Sequence, residues 1–265
     1  MVRPRLLATL RGRWDRPVTA VIGGPGSGKS TLLSQAVTEN RLDPQGHDLW
    51  VRCVESDAAA SQFAGVLCAA LGTEPPPGED HDVLVDAIVE ALLTHAPVAT
   101  CIVIDDLHVI PDTSEGAALL GRLVTRLPAT AHLVLCGRRK PPVPMARLVA
   151  HGEAVVVTEG DLVFTPDEVA AFADLRGVSA TALAAVGPWP AIAELTASAG
   201  PSVVADYLWE EVLGRLAPER RRQLAALAAI GGGDRELVER ATGAPADLED
   251  LLADARSRLA REDPG

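Results

Sequence analysis

Eight consecutive residues carry the strongest chemical signal in this chain: Gly23-Gly24-Pro25-Gly26-Ser27-Gly28-Lys29-Ser30. Their spacing is GxxxxGK[ST]. Glycines let a loop curl until successive backbone N–H groups point inward at phosphate oxygens. A helix starting near Gly28 offers its positive end to the same anion. Lys29 supplies a compact point charge for the β- and γ-phosphates, where the planar fork of Arg fits less well. Ser30 can present its hydroxyl to Mg²⁺. Thr31 stands where it can reach the α-phosphate. The stretch is therefore expected to bind ATP or ADP with Mg²⁺. The plain alternative is a glycine-rich turn that holds nothing. An apolar run before the loop and helical spacing after it favour the phosphate reading.

Two further groups could serve the same ligand. Cys101-Ile102-Val103-Ile104-Asp105-Asp106 reads as a buried strand that ends in acids. Asp105 is expected to hold hydrated Mg²⁺, and Asp106 to orient or deprotonate an attacking water. Solvated turn chemistry would leave the same pair of acids. Gly137-Arg138-Arg139-Lys140 follows another apolar run. If that run is a strand between the loop strand and the acid strand, its end faces the γ-phosphate, because ligands sit at the carboxyl ends of parallel strands. Arg138, nearest the strand end, is the expected phosphate sensor. A solvated basic turn before Pro141-Pro142 is the alternative.

The elements that must position these groups follow from periodicity. Short apolar runs at 17–22, 48–54, 100–105, 132–136 and 154–157 read as five strands. Helical spacing at 30–39, 58–71, 82–94 and 115–126 lies between them. Alternation of this kind predicts βαβ units and a parallel sheet covered on both faces. Beyond residue 160 the pattern changes. Thr165-Pro166-Asp167-Glu168 reads as a capped helix start with proline at the first helical position. Only helices follow, at 167–175, 180–185, 191–199, 203–216, 219–230, 235–242 and 246–261, broken by glycines and prolines. The fold class expected is α/β, a five-strand P-loop NTPase sheet with an additional strand (ASCE type). An all-helical region follows it.

Composition narrows the partners. The chain has 265 residues, 48% of them hydrophobic, enough for a sizeable core. Its net charge of −12 argues against direct nucleic-acid binding and against a basic membrane surface. Only Lys29 and Lys140 are lysine among 24 cations. Lys29 has a phosphate reason to escape the arginine bias, and Lys140 reads as surface. Cys53, Cys68, Cys101 and Cys136 lie far apart in apolar runs and read as buried reduced thiols. No secretory leader or membrane-length apolar stretch is seen, so a cytoplasmic protein is expected. Trp50 and Trp209 are expected in the core, and His108 in a packing role.

In order along the chain, several landmarks carry a resemblance. They are Val2-Arg3-Pro4-Arg5-Leu6-Leu7, the phosphate loop, Asp48-Leu49-Trp50-Val51 and Ile104-Asp105-Asp106-Leu107-His108. LVLCGRRKPPVPMARL at 133–148, DLVFTPDE at 161–168 and Trp189-Pro190-Ala191 complete the series. Together they resemble the ATP-binding module of STAND-class signalling ATPases, in particular the maltose-regulon activator and large ATP-binding LuxR-type regulators. The resemblance implies a nucleotide-binding domain over 1–160, a small helical domain over 161–202 and the start of a winged-helix domain over 203–265. It implies that Arg138 is the sensor arginine, that Pro190 touches the nucleotide, and that residues 3–6 pack beside the adenine. It also implies a switch. ADP holds the domains closed, and ATP with an inducer opens them for self-association, with sensor and DNA-binding domains lying outside this chain. Pro188 stands where the family usually has glycine.

Three activities are compatible with these residues: a slow signalling ATPase, a nucleotide-binding switch without significant hydrolysis, and a P-loop kinase of a small molecule. No acceptor-substrate motif supports the third.

Overall fold

The structure, a computed structural model, describes residues 1–199, 203, 207, 210, 217–229, 239, 240 and 242. The apolar runs form one parallel sheet from β1 (Val18–Ile22), β2 (His47–Arg52), β3 (Thr100–Asp105), β4 (Ala131–Gly137) and β5 (Ala154–Val157), in the order β2-β3-β4-β1-β5. β4 thus lies between the loop strand and the acid strand. Its register sets Ile22 beside Gly137 and Leu135 beside Ile104. The carboxyl ends of β1, β4 and β3 therefore meet on one edge, where a parallel α/β sheet binds ligands.

Side chains alternate across the sheet, and each face has its own core. On one face Val18, Ala20, Ile102, Ile104, Leu133 and Leu135 pack with residues of α3 (Ala60–Ala70), α4 (His81–Thr94) and α5 (Glu115–Thr125). On the other, Val21, Cys101, Val103, Val134 and Cys136 meet α1 (Pro4–Arg11) and α2 (Lys29–Leu42). α1 was not expected. Leu6, Leu7 and Leu10 fall on its buried side, and Pro4 stands at its first turn. Two short helices, α6 (Met145–Ala150) and α7 (Glu159–Leu162), were also not expected. Trp50 is a correction: β2 is an edge strand, and this ring faces outward with 40% of its surface exposed.

The chain divides into two compact units, Met1–Gly23 with Ser27–Glu168, and Gly24–Gly26 with Val169–Gly265. The helix α8 (Pro166–Arg176) runs from one to the other. The second unit contains α9 (Ala180–Val186), α10 (Pro190–Ser198) and α11 (Pro218–Ala229). Leu183 and Ala193 are buried there, and Arg176 pairs with Glu194 at 2.5 Å. The helices expected at 203–216, 235–242 and 246–261, with Trp209, fall outside the described residues apart from single positions. Among the described residues no helix is long and apolar enough to cross a membrane.

Candidate functional site

The loop after β1 takes its shape from glycine. Gly26 has φ of 70° and Gly28 of 85°, a left-handed region where side chains are strained. Gly28 caps α2, and its carbonyl accepts the Leu32 N–H at 2.9 Å. The Gly23 N–H donates to Gly137 O at 3.2 Å, tying the loop to the end of β4. A Cβ on Gly23 would lie 2.8 Å from Leu162 Cδ1 and 3.0 Å from Ser27 Oγ, so any larger residue there would have to displace the Leu162 side chain.

Lys29 is buried, and its ammonium curls back across its own loop. Nζ donates to Gly23 O at 2.7 Å and to Ser27 Oγ at 3.4 Å. Burial pushes its pKa below the ordinary lysine value, and the nearby Arg138 charge adds to this, against the pull of Asp105 and Asp106. Ser30, in the first turn of α2, donates from Oγ to Asp105 Oδ2 at 2.9 Å. The other oxygen of Asp105 accepts the Asp106 N–H at 2.9 Å. A hydroxyl and a carboxylate converge beside a buried ammonium. These are the hard oxygen donors that Mg²⁺ takes, next to a cation suited to phosphate.

Asp106 has the left-handed backbone φ of 55°. Its Oδ2 accepts Arg52 Nε at 2.8 Å, and its Oδ1 is 3.9 Å from His108 Nδ1. Arg52 escaped the sequence reading because its signal is register: Arg52 at the end of β2 lies beside Asp105 at the end of β3. Of the three cations after β4, Arg139 bonds Ile110 O at 2.8 Å and Asp112 at 3.5 Å, and Lys140 is exposed. Arg138 is half-buried, and its positive charge lies close enough to Lys29 to help lower that lysine's pKa. His108 is buried. Thr31 is exposed.

Pro190 is the first residue of α10 and belongs to the second unit. Its two neighbours bond the loop residues of that same unit. Trp189 Nε1 donates to Pro25 O at 3.2 Å, and the Ala191 N–H donates to Gly26 O at 3.0 Å. A Cβ on Gly26 would fall 2.4 Å from Tyr207 Oη and 2.5 Å from Ala191 Cβ.

Arg3 is buried in the first unit. It donates to Leu162 O at 2.7 Å and Val163 O at 2.9 Å, pairs with Glu168 at 3.0 Å, and lies 5.0 Å from the centre of the Phe164 ring. It fixes the segment whose Leu162 closes in on Gly23.

A family model described as an AAA domain matches residues 13–140. This stretch is an AAA-type P-loop ATPase domain. The AAA domain therefore includes the phosphate loop, both acids of β3 and Arg138. Over 92% of its length the chain is 27% identical to the HTH-type transcriptional regulator MalT of Serratia proteamaculans, and it spans 30% of that protein. Solved structures share the fold. Cdc6p of Pyrobaculum aerophilum is 16% identical with a TM-score of 0.51, covering 96% of this chain and 84% of that one. The Aeropyrum pernix ORC2 protein, solved as ADPNP–ADP complexes, is 12% identical with a TM-score of 0.50, covering 97% and 84%.

Proposed function

We propose that this chain is the nucleotide-operated switch of a STAND-class transcriptional regulator, binding ATP and ADP with Mg²⁺ and hydrolysing ATP slowly. The observation that carries this reading is the convergence of Lys29, Ser30 and Asp105, with Ser30 Oγ 2.9 Å from Asp105 Oδ2. The loop from Gly23 to Thr31 would cradle the phosphates, and Ser30 and Asp105 would hold Mg²⁺, which neutralises phosphate charge when bound. Lys29 and Arg138 would supply fixed positive charge, and Asp106 would orient or deprotonate water. Pro190 would contact the nucleotide from the helical domain.

The domain division proposed is 1–160, 161–202 and 203–265. ATP and ADP would favour different arrangements of these domains, with self-association in the ATP state. Sensor and DNA-binding functions would belong to other parts of a longer, cytoplasmic regulator. The 27% identity to MalT supports the regulator context.

A second reading, a nucleotide switch without significant hydrolysis, draws on the pairing of Asp106 with Arg52. Calorimetric titration with ADP and with Mg-ATP tests the shared part: both should bind, and Lys29→Ala should bind neither. Retained affinity in Lys29→Ala would refute the site. Single-turnover hydrolysis then separates the readings. Wild type should exceed Asp106→Asn, and equal background rates would leave the switch without hydrolysis.

A further inference from the structure

We propose that Arg139 is a positioning residue that holds Arg138 toward the γ-phosphate of a bound nucleotide, and so sets how ATP is told from ADP. The proposal rests on the reading of Arg138 as the phosphate sensor. Arg138 is the first residue past β4, and two bonds bracket it. Before it, Gly137 O accepts the Gly23 N–H at 3.2 Å, which ties the end of β4 to the phosphate loop. After it, Arg139 donates from Nη2 to Ile110 O at 2.8 Å and pairs with Asp112 at 3.5 Å. The Ile110 acceptor is firm, because the side chain of that residue is buried in the core. A Cβ on Gly137 would lie 3.3 Å from His108 N, so the end of β4 also runs close against the segment after β3.

The two adjacent guanidiniums serve different neighbours. Arg139 is drawn to the segment after β3, while the Arg138 charge bears on Lys29 in the phosphate loop. Anchoring Arg139 fixes the backbone from which the Arg138 side chain springs. Pro141 and Pro142 follow at once, and their fixed φ limits how far this turn can relax. The bond to Ile110 O carries the restraint, because a bond from a charged donor to a carbonyl is stronger than a neutral one. The pair with Asp112 is exposed and adds little. ADP has no γ-phosphate, so the effect of this arrangement falls on ATP.

The test is calorimetric titration of the full chain with ADP and with a β,γ-methylene analogue of ATP, both in Mg²⁺. Arg139→Ala, Arg139→Lys, Arg138→Ala and the double alanine variant are compared with wild type. Arg139→Ala should weaken the analogue about tenfold, the scale of one charge-assisted bond, and leave ADP at its wild-type affinity. Arg139→Lys can still reach one carbonyl and should fall between the two. Arg138→Ala should weaken the analogue at least as much as Arg139→Ala. The double variant should lose no more than Arg138→Ala, because Arg139 acts through its neighbour. Wild-type affinity for the analogue in Arg139→Ala, with a loss in Arg138→Ala, overturns the proposal. An equal loss for ADP overturns it too, as general damage to the loop, and so do additive losses in the double variant. An unchanged analogue affinity in Arg138→Ala would instead strike the sensor assignment beneath it, so the two failures read differently.

Discussion

The hydroxyl of Ser30 and the carboxylate of Asp105 are 2.9 Å apart, joining the first turn of α2 to the end of β3. Seventy-five residues separate them in the chain. The parallel register brings them together, and a hydroxyl and a carboxylate are the oxygen donors that the proposed Mg²⁺ site would use. Replacing Ser30 by Ala should therefore weaken ATP binding in Mg²⁺ by about tenfold or more, a usual penalty for damage to a metal's surroundings. In EDTA the variant and wild type should bind alike. Calorimetric titration under both conditions checks this, and an equal loss in EDTA would deny Ser30 a metal role.

Lys29 should show its burial in alkaline stability. Its folded pKa lies below the ordinary 10.5, because burial disfavours the ammonium. Between the depressed value and 10.5 the unfolded chain binds more protons, so rising pH favours the folded state. The stability of wild type relative to Lys29→Met should therefore increase with pH through that window. Denaturant unfolding of both proteins at several alkaline pH values measures the difference, and a flat or falling difference would contradict it.

Glu168 predicts the acid behaviour. Burial alone would raise its pKa, but hydrogen bonds from Arg3, Arg5 and the Thr165 N–H outweigh burial and hold it below the usual 4.5. Such a carboxylate adds stability above its unfolded pKa and loses it as pH falls through the folded value. Glu168→Gln should flatten the acid limb of the stability curve below pH 4.5. Asp161, also lowered through its bond with Thr158, should leave a residual slope. An unaltered acid limb in circular-dichroism titration would rule out the Glu168 contribution.

Arg3 should matter for folding more than an N-terminal residue usually does. It serves three carbonyls and one carboxylate while buried. Arg3→Ala should lower stability by about 3 kcal/mol, typical of breaking a buried ionic contact. Denaturant unfolding reads the loss, and a change within about 0.5 kcal/mol, as at an ordinary surface position, would argue against the clasp.

The four thiols should be inert in the folded protein. All are buried, and burial pushes Cys53, Cys68, Cys101 and Cys136 above the usual thiol range. A thiol reagent at pH 8 should label none before denaturant is added and all four afterwards. Rapid labelling of any one in native buffer would contradict this.

Much of the fold was legible because its signals are local. The strands expected at 100–105 and 154–157 appear as Thr100–Asp105 and Ala154–Val157, since apolar runs of that length can only be buried strands or short helix pieces, and turn residues bound them. The cap at Thr165 and Glu168 forms as read, with Glu168 N–H on Thr165 Oγ1 at 3.2 Å and Thr165 N–H on Glu168 at 3.1 Å. Trp50 misled because an apolar ring carries no mark of whether its strand is central or at an edge. α1 buries Leu6, Leu7 and Leu10, but eight residues give too few turns for a helical period to stand out from sequence.

The sequence by itself determined the glycine loop, the placement of Lys29 and Ser30 at a helix start, and the acids at a strand end. Each depends on neighbours within a few residues, through backbone conformation and periodicity. Tertiary structure alone decided that Ser30 meets Asp105, that Arg139 turns to Ile110 and Asp112, and that Arg52 holds Asp106. Those pairings are set by strand order and register, which arise when the whole sheet buries its two faces, and no short window of residues encodes them.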